Sequence, residues 1–169
     1  MLNSKNIFYN KKILIYGMGK SGFSSFLFLK KTNDIYLYDD FNKKIKNKKF
    51  KKFLINFKEI KKLNFDFIVI SPGIDIKKCK LKNVLKKNSK KIVTDLDIFF
   101  TKYYKNKNIT ITGTNGKSTT AKILYEILKN AKKDVRLTGN IGRPILLEKN
   151  VNSKTIFVIE ASSYQLDYS

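Results

Sequence analysis

Two glycine-rich loops constrain this chain most, because each lies between an apolar run and a helical pattern. The first, residues 17–22, reads Gly-Met-Gly-Lys-Ser-Gly and follows the apolar run 12–16. The second, residues 112–120, reads Thr-Gly-Thr-Asn-Gly-Lys-Ser-Thr-Thr and follows the run 109–112. A loop of this kind presents unpaired N–H groups at a helix N-terminus, where proteins bind phosphate groups. The sequence therefore predicts two phosphate-binding units.

Apolar runs and helical patterns alternate along the rest of the chain. The further runs lie at 35–38, 67–70, near 135–138 and at 156–159, with a weaker one at 92–94. Near-continuous apolar runs are typical of parallel strands covered on both faces. Helical spacing of apolar residues appears at 22–31 and 118–131. We therefore expect an α/β fold built on parallel sheets.

Length and charge narrow the classes of protein further. A chain of 169 residues makes one domain or two small ones, and the lysine-rich segment 102–108 is the predicted boundary. The net charge is +23, but 34 of the 36 basic residues are lysines. Proteins that read bases favour arginine, so we expect solvated surface lysines and no nucleic-acid partner.

Absent residue types exclude several chemistries. The chain has no histidine, which excludes a Ser-His-Asp or Cys-His nucleophile and any histidine-ligated metal within it. Cys79 is its one cysteine, which excludes an intrachain disulfide and fits a reducing compartment. No run is long enough to span a bilayer and no signal peptide is recognisable, so we expect a cytoplasmic protein without a membrane partner.

The first loop has the context that a dinucleotide-type G-x-G-x-x-G motif requires. Its glycines permit a tight turn and a close backbone approach to a ligand. Asp39 ends the next strand, about 20 residues further on, where a carboxylate can meet a nucleotide hydroxyl. The alternative is a turn that packs a helix onto a strand without any ligand.

The second loop contains the Gly-Lys-Ser core of an ATP-type phosphate loop. Its backbone N–H groups would cradle phosphates, Lys117 would reach the β and γ oxygens, and the Ser118 hydroxyl would hold Mg²⁺. Gly113 lies three residues before Gly116 rather than five, so the loop is not the common version. Glu160 ends the strand 156–159 and is placed as a metal ligand. The alternatives are a chance glycine turn and an ordinary acidic residue at a strand end.

Taken together, these residues resemble the Mur ligase family. The supporting stretches are 17–22, Ser-Pro-Gly-Ile at 71–74, Thr-Asp-Leu-Asp-Ile-Phe at 94–99, the ATP loop at 112–120, Gly-Asn-Ile-Gly at 139–142 and Glu-Ala-Ser-Ser-Tyr-Gln-Leu at 160–166. Tyr164 and Ala161 depart from the residues usual in the family, Phe and Leu. Within the family, the resemblance is to the member that adds D-glutamate to UDP-N-acetylmuramoyl-L-alanine.

The resemblance implies a Rossmann-like domain over residues 1–106 that binds the UDP part of the substrate rather than NAD. The residues implied in UDP-substrate binding are Gly19, Lys20, Ser21, Asp39, Ser71, Pro72, Gly73, Asn140, Ser162 and Gln165. Gly19, Lys20 and Ser21 would contact the diphosphate, and Asp39 the uracil region.

From residue 107 the resemblance implies the first part of an ATPase domain of P-loop type. The residues implied in ATP binding are Gly113, Thr114, Asn115, Gly116, Lys117, Ser118 and Thr119. Lys117 and Glu160 would be catalytic, and Ser118 and Glu160 would hold Mg²⁺. ATP would phosphorylate the substrate carboxylate, and the amine of D-glutamate would attack the acyl phosphate.

Family members continue into the rest of the central domain and a third domain, which carry most of the amino-acid pocket. We therefore expect a monomeric fragment with little or no ligase activity alone. Three alternatives stay open. One is another ATP-dependent amide ligase, of the L-alanine-adding or folylpolyglutamate synthetase kind. The second is a nucleotide-binding module without ligase activity, and the third is a lysine-rich nucleic-acid binder, whose affinity would fall steeply with salt.

Overall fold

The structure, a computed structural model, describes residues 7–41 and 48–166 of the chain. Its described strands form two separate parallel sheets. The α/β fold with parallel sheets that the apolar runs predict is confirmed.

The first sheet has the strand order β2-β1-β3-β4. Its strands are β1 (Lys12–Tyr16), β2 (Asp34–Tyr38), β3 (Phe67–Ile70) and β4 (Ile92–Val93). In β1, Ile13 pairs with Ile35 of β2 on one side and Phe67 of β3 on the other, so β1 is interior. The strand order reverses between β1 and β3, which is the topological switch point where open α/β sheets bind ligands.

The second sheet has the strand order β5-β7-β6. Its strands are β5 (Lys107–Ile111), β6 (Val135–Gly139) and β7 (Ile156–Glu160). Glu160 of β7 is in register with Ile111 of β5 and with Gly139 of β6. The last residue of β7 therefore lies between the loops that leave the two neighbouring strands.

Six α-helices connect and cover the described strands. They are α1 (Lys20–Leu29), α2 (Phe57–Ile60), α3 (Lys82–Lys87), α4 (Asp95–Lys102), α5 (Lys117–Asn130) and α6 (Ser163–Leu166), and 3₁₀ turns lie at Lys48–Phe53, Ser89–Lys91 and Ile145–Leu147. The two helices predicted after the glycine loops are present, each beginning one or two residues earlier than predicted.

Helix α4 was not predicted from periodicity, although its start carries a local signal. The Thr94 hydroxyl accepts a hydrogen bond from the Leu96 N–H, and Asp97 Oδ2 accepts one from the Thr94 N–H at 2.6 Å. This reciprocal capping satisfies donors that a helix N-terminus leaves unpaired.

An apolar core continues from one sheet to the other. The 3₁₀ turn 145–147 packs its buried Ile145 and Leu146 against α1 and α4. Phe99 of α4 also meets Phe157 of β7 edge to face, with ring centroids 4.8 Å apart. The two sheets therefore share a hydrophobic cluster, which keeps their loops close together.

The described helices are either short relative to the thickness of a bilayer or polar in composition. None of those within residues 7–41 and 48–166 combines the length and apolar character needed to cross a membrane.

Candidate functional site

The first glycine loop leaves β1 at the switch point and opens helix α1. Gly17 has a φ of +92°, and its carbonyl accepts a hydrogen bond from the buried Ser71 hydroxyl at 2.7 Å. A Cβ on Gly22 would lie 1.8 Å from the Gly17 carbonyl oxygen, so α1 approaches the loop as closely as glycine allows. Gly19, by contrast, has no atom within 4 Å of the position of a Cβ. Gly17 and Gly22 are therefore needed for packing, while Gly19 leaves open space beside the start of α1.

The N-terminus of helix α1 has no side chain that caps it, because Gly19 occupies the capping position. The first turn of α1 also contains no acidic residue. Unpaired N–H groups and the positive end of the helix dipole therefore face the open space, as anion binding requires.

Asp39 uses both carboxylate oxygens to shape the loop. Oδ2 accepts the Met18 N–H at 2.7 Å, and Oδ1 accepts the Phe41 N–H at 2.8 Å. Asp39 therefore holds the end of β2 against the glycine loop. Any contact between Asp39 and a ligand would use a carboxylate oxygen that already accepts one of these hydrogen bonds.

The neighbouring Asp40 was not singled out from the sequence. Its Oδ2 accepts the Tyr16 hydroxyl at 2.8 Å, while its Oδ1 is buried without a hydrogen-bond partner among the described residues. Burial and the bond to Asp40 raise the pKa of the Tyr16 hydroxyl well above its ordinary value, so Tyr16 remains a donor. Two consecutive aspartates were the available sequence signal.

A cavity of about 570 Å³ joins the loops that follow β1, β2 and β3. Among the residues that line it are the predicted UDP-contact residues of the first sheet, namely Gly19, Lys20, Ser21, Asp39, Ser71, Pro72 and Gly73. The structure brings these seven residues together, and the volume of the cavity is in the range of small-ligand pockets.

The second glycine loop leaves β5 and opens helix α5. Gly113 and Gly116 have φ values of +144° and +74°, and glycine adopts such positive values readily because it has no Cβ. Thr114, Asn115 and Thr119 are exposed. Lys117 bends back over the loop, and its Nζ donates to the carbonyls of Gly113 at 2.6 Å and Thr114 at 3.1 Å. The loop therefore places the Lys117 ammonium group next to exposed backbone groups.

Glu160 and Ser118 meet at the end of the second sheet. The Ser118 hydroxyl donates to Glu160 Oε2 at 2.9 Å across 42 residues of sequence. Glu160 is 5% exposed. The two residues that the resemblance assigns to one Mg²⁺ are therefore in direct contact.

The donor set at this contact fits Mg²⁺. Two oxygens bound side by side to octahedral Mg²⁺ at about 2.0–2.1 Å lie roughly 2.9 Å apart, which matches the Ser118–Glu160 separation. No group of three or more His, Cys, Asp or Glu side chains that could hold a metal occurs in the described chain. Ser118 and Glu160 would therefore supply two oxygens, and phosphate and water the others, as is usual for Mg²⁺ at nucleotide sites.

The Gly-Asn-Ile-Gly loop encloses the end of β7. A Cβ on Gly139 would lie 2.3 Å from the Glu160 carbonyl oxygen, and the Asn140 N–H donates to that oxygen at 2.9 Å. The side chain of Asn140 is exposed. This loop therefore fixes the backbone beside Glu160 and leaves an amide side chain in solvent next to it.

Asp95 is a buried carboxylate that sequence reasoning did not assign. The Ser21 hydroxyl donates to its Oδ2, and the Gln165 amide donates to its Oδ1 at 3.0 Å. Burial raises the pKa of the Asp95 carboxyl above its ordinary value, an effect that the bonds from Ser21 and Gln165 oppose. Gln165 in turn accepts from the Ser162 N–H at 3.0 Å. Predicted substrate residues Ser162 and Gln165 thus lie at the junction of the two sheets, with Gln165 buried.

Comparison with known proteins matches two family models in sequence order. Residues 11–93 match the Mur ligase MurD-like N-terminal domain, and residues 111–169 match the Mur ligase middle domain. A crystal structure of UDP-N-acetylmuramate:L-alanyl-gamma-D-glutamyl-meso-diaminopimelate ligase from Neisseria meningitides shares the fold, with a TM-score of 0.52 and 16% identity over 90% of this chain and 52% of that chain.

Relatives named UDP-N-acetylmuramoylalanine--D-glutamate ligase align with nearly all of the chain. The protein of Wolbachia pipientis wMel is 37% identical over 96% of this chain and 32% of its own length. The Rickettsia prowazekii protein is 38% identical over 96% of this chain and 36% of its own length. The Buchnera aphidicola protein is 39% identical over 95% of this chain and 37% of its own length. The chain thus spans about a third of the length of these relatives. Because both of its matched segments are consecutive domains of one family, the chain belongs to the Mur ligase family.

Proposed function

We propose that this chain provides the UDP-substrate site and part of the ATP site of a ligase that joins D-glutamate to UDP-N-acetylmuramoyl-L-alanine. The observation that carries the proposal is the pair of glycine loops that open α1 and α5 at the carboxyl ends of strands in two connected parallel sheets. The names of the relatives support the choice of substrates. We place the boundary between the two proposed domains between residues 106 and 107, after α4 and at the start of β5.

The first loop suits a uridine diphosphate group. The start of α1 offers N–H donors to the diphosphate, and Lys20 and Ser21 line the same cavity. Asp39, Ser71, Pro72 and Gly73 would contact the nucleoside end. Asn140, Ser162 and Gln165 lie on the second sheet's side, where the sugar-peptide end would extend.

The second loop suits the triphosphate of ATP. Lys117 would exchange its bonds to two loop carbonyls for phosphate oxygens, and the N–H groups of residues 113–119 would surround the phosphates. Ser118 and Glu160 would hold Mg²⁺, which neutralises charge on the phosphate oxygens when it is bound.

The reaction requires positioning more than a protein nucleophile. A carboxylate oxygen of the substrate attacks the γ-phosphorus, and the bond to the ADP oxygen breaks. The amine of D-glutamate then attacks the acyl carbon, phosphate leaves and the amine loses a proton. Lys117 would stabilise the transferring phosphoryl group, and oriented N–H donors would do the same without histidine.

Calorimetric titration of the 169-residue chain tests the first site. We expect UDP-N-acetylmuramoyl-L-alanine to bind more tightly than NAD and more tightly than UDP-N-acetylmuramate, which lacks the alanine. Tighter binding of NAD would favour a nucleotide-binding module, and preference for UDP-N-acetylmuramate would favour an L-alanine-adding ligase. Binding of duplex DNA at physiological salt would contradict our expectation that nucleic acid is not a partner, and would favour the lysine-rich nucleic-acid binder.

A product assay with ATP, Mg²⁺ and D-glutamate tests the chain's own activity. We expect that the 169 residues release little or no ligated product and that a fluorescent ATP analogue binds to them in a Mg²⁺-dependent way. Ligated product from this chain would overturn the first expectation, and absence of nucleotide binding would overturn the second.

A further inference from the structure

The junction between the two sheets contains one buried polar connection within a largely apolar contact among the described residues. The apolar part consists of the 3₁₀ turn 145–147 against α1 and α4, together with Phe99 against Phe157. The polar part, here named the Asp95 bridge, consists of Ser21, Asp95 and Gln165. Apolar contacts tolerate small sliding movements, whereas a buried polar group requires its partners at hydrogen-bond distance.

The Asp95 bridge connects the first and second glycine loops through side chains and backbone. Ser21 belongs to the first loop and to α1, and it donates to Asp95 Oδ2. Gln165 lies five residues after Glu160 and donates to Asp95 Oδ1 at 3.0 Å, while its Oε1 accepts from the Ser162 N–H and hydroxyl at 3.0 and 3.1 Å. Glu160 in turn contacts Ser118 of the second loop.

We propose that Asp95 is a positioning residue that fixes the first phosphate loop relative to the segment following Glu160. This role rests on the proposed function, in which one substrate reaches from the first loop to the phosphates at the second. A carboxylate suits the role because its two oxygens accept from two donors on opposite sides at once. Asp95 is 5% exposed, so no solvent replaces a lost partner at low cost.

A reciprocal exchange of the two side chains provides the sharpest variant. Asp95→Leu removes both acceptor oxygens at similar volume, so Ser21 and Gln165 each lose their partner, and Gln165→Glu alone puts two carboxylates together. In the double variant D95N/Q165E, the new amide at position 95 accepts from Ser21 and donates to the new carboxylate at position 165. That carboxylate still accepts from Ser162. Both bridging hydrogen bonds are then restored with one negative charge, as in the unchanged chain.

The matched control is Asp97→Asn on the same helix. Asp97 accepts the Thr94 N–H in the helix cap and takes no part in the bridge. Its loss weakens α4 without breaking the connection to Ser21 or Gln165. D97N therefore separates a general loss of helix stability from a loss of relative position.

Distances between two spin labels measure the position directly and require no ligand. Labels would be placed at Lys58→Cys on α2 and Lys122→Cys on α5, both exposed lysines, in a chain carrying Cys79→Ala. We expect one narrow distance distribution for the unchanged bridge and for D97N, at least a doubled width for D95L and Q165E, and a narrow distribution again for D95N/Q165E.

A width for D95L equal to that of the unchanged bridge would overturn the proposal, as would a D95N/Q165E double variant as broad as Q165E. If D95L does not fold, Gln165→Met removes the hydrogen bond that crosses the junction and leaves the bond between Ser21 and Asp95 in place. A broadened distribution for Q165M supports the proposal, and an unchanged one overturns it. Titration with UDP-N-acetylmuramoyl-L-alanine tests the proposed function separately, because the spin-label distances do not depend on that ligand.

Discussion

Glu160→Gln tests separately how the Glu160 carboxylate affects the stability of the fold and how it contributes to the proposed binding of Mg²⁺. Glu160 is 5% exposed, and the Ser118 hydroxyl donates to it at 2.9 Å. No lysine or arginine nitrogen lies within 4.0 Å of its carboxylate in residues 7–41 and 48–166. Burying a charge with few partners costs free energy, whereas glutamine keeps an acceptor oxygen at nearly equal volume. We expect E160Q to leave the free energy of unfolding unchanged or to raise it by about 1 kcal/mol.

The same substitution should weaken binding of Mg²⁺ and ATP together. Glutamine replaces an anionic oxygen with a neutral one. Changing a residue that merely orients a metal ligand already costs about 10–100-fold in affinity, so we expect a loss of at least this size for Glu160. That range corresponds to about 1.4–2.8 kcal/mol. The assay is titration with a fluorescent ATP analogue in Mg²⁺ and in EDTA, together with urea unfolding of the same samples.

Glu148→Gln is the matched control. The Glu148 side chain is also 5% exposed and lies 4.0 Å from Arg136 Nε, and the charges that act on it are those of Arg136 and Arg143 rather than of the second loop. We expect E148Q to leave nucleotide binding unchanged. Unaltered Mg²⁺-dependent binding by E160Q would refute the metal assignment, and destabilisation of E160Q by more than about 2 kcal/mol would indicate a structural carboxylate.

Three further predictions concern packing, titration and charge. Gly22→Ala should lower the free energy of unfolding by about 1–3 kcal/mol in urea, because its Cβ would lie 1.8 Å from the Gly17 carbonyl oxygen, whereas Gly19→Ala has open space and should cost far less. Because burial raises the pKa of Asp95 in the folded chain, the native state holds a proton that the unfolded state releases above about pH 4. The contribution of Asp95 to stability should therefore fall as pH rises from the unfolded pKa towards the folded one, and urea titrations of D95N should lack that decline. Lys117→Met should reduce ATP affinity at least tenfold with little change in the urea midpoint, since within residues 7–41 and 48–166 Lys117 Nζ donates only to carbonyls of its own loop.

Local patterns predicted most of the strands and both helices that follow the glycine loops. The apolar runs at 12–16 and 67–70 coincide with β1 and β3, and the run at 156–159 with most of β7. Helix α4 was missed, because its eight residues contain too few turns for a clear apolar period. The division of the strands into two sheets depends on pairing between segments far apart in the chain, which periodicity does not report.

The sequence by itself determined the two strand–loop–helix units, since glycine, lysine and hydroxyl side chains carry their chemistry at short spacing. It also placed Glu160 at a strand end. Only the tertiary structure decided that Ser118 and Glu160 are 2.9 Å apart, and that Asp95 joins Ser21 to Gln165 across 74 and 70 residues of sequence. The physical reason is that burial and hydrogen bonding of a carboxylate depend on groups from distant segments, which chain folding alone brings together.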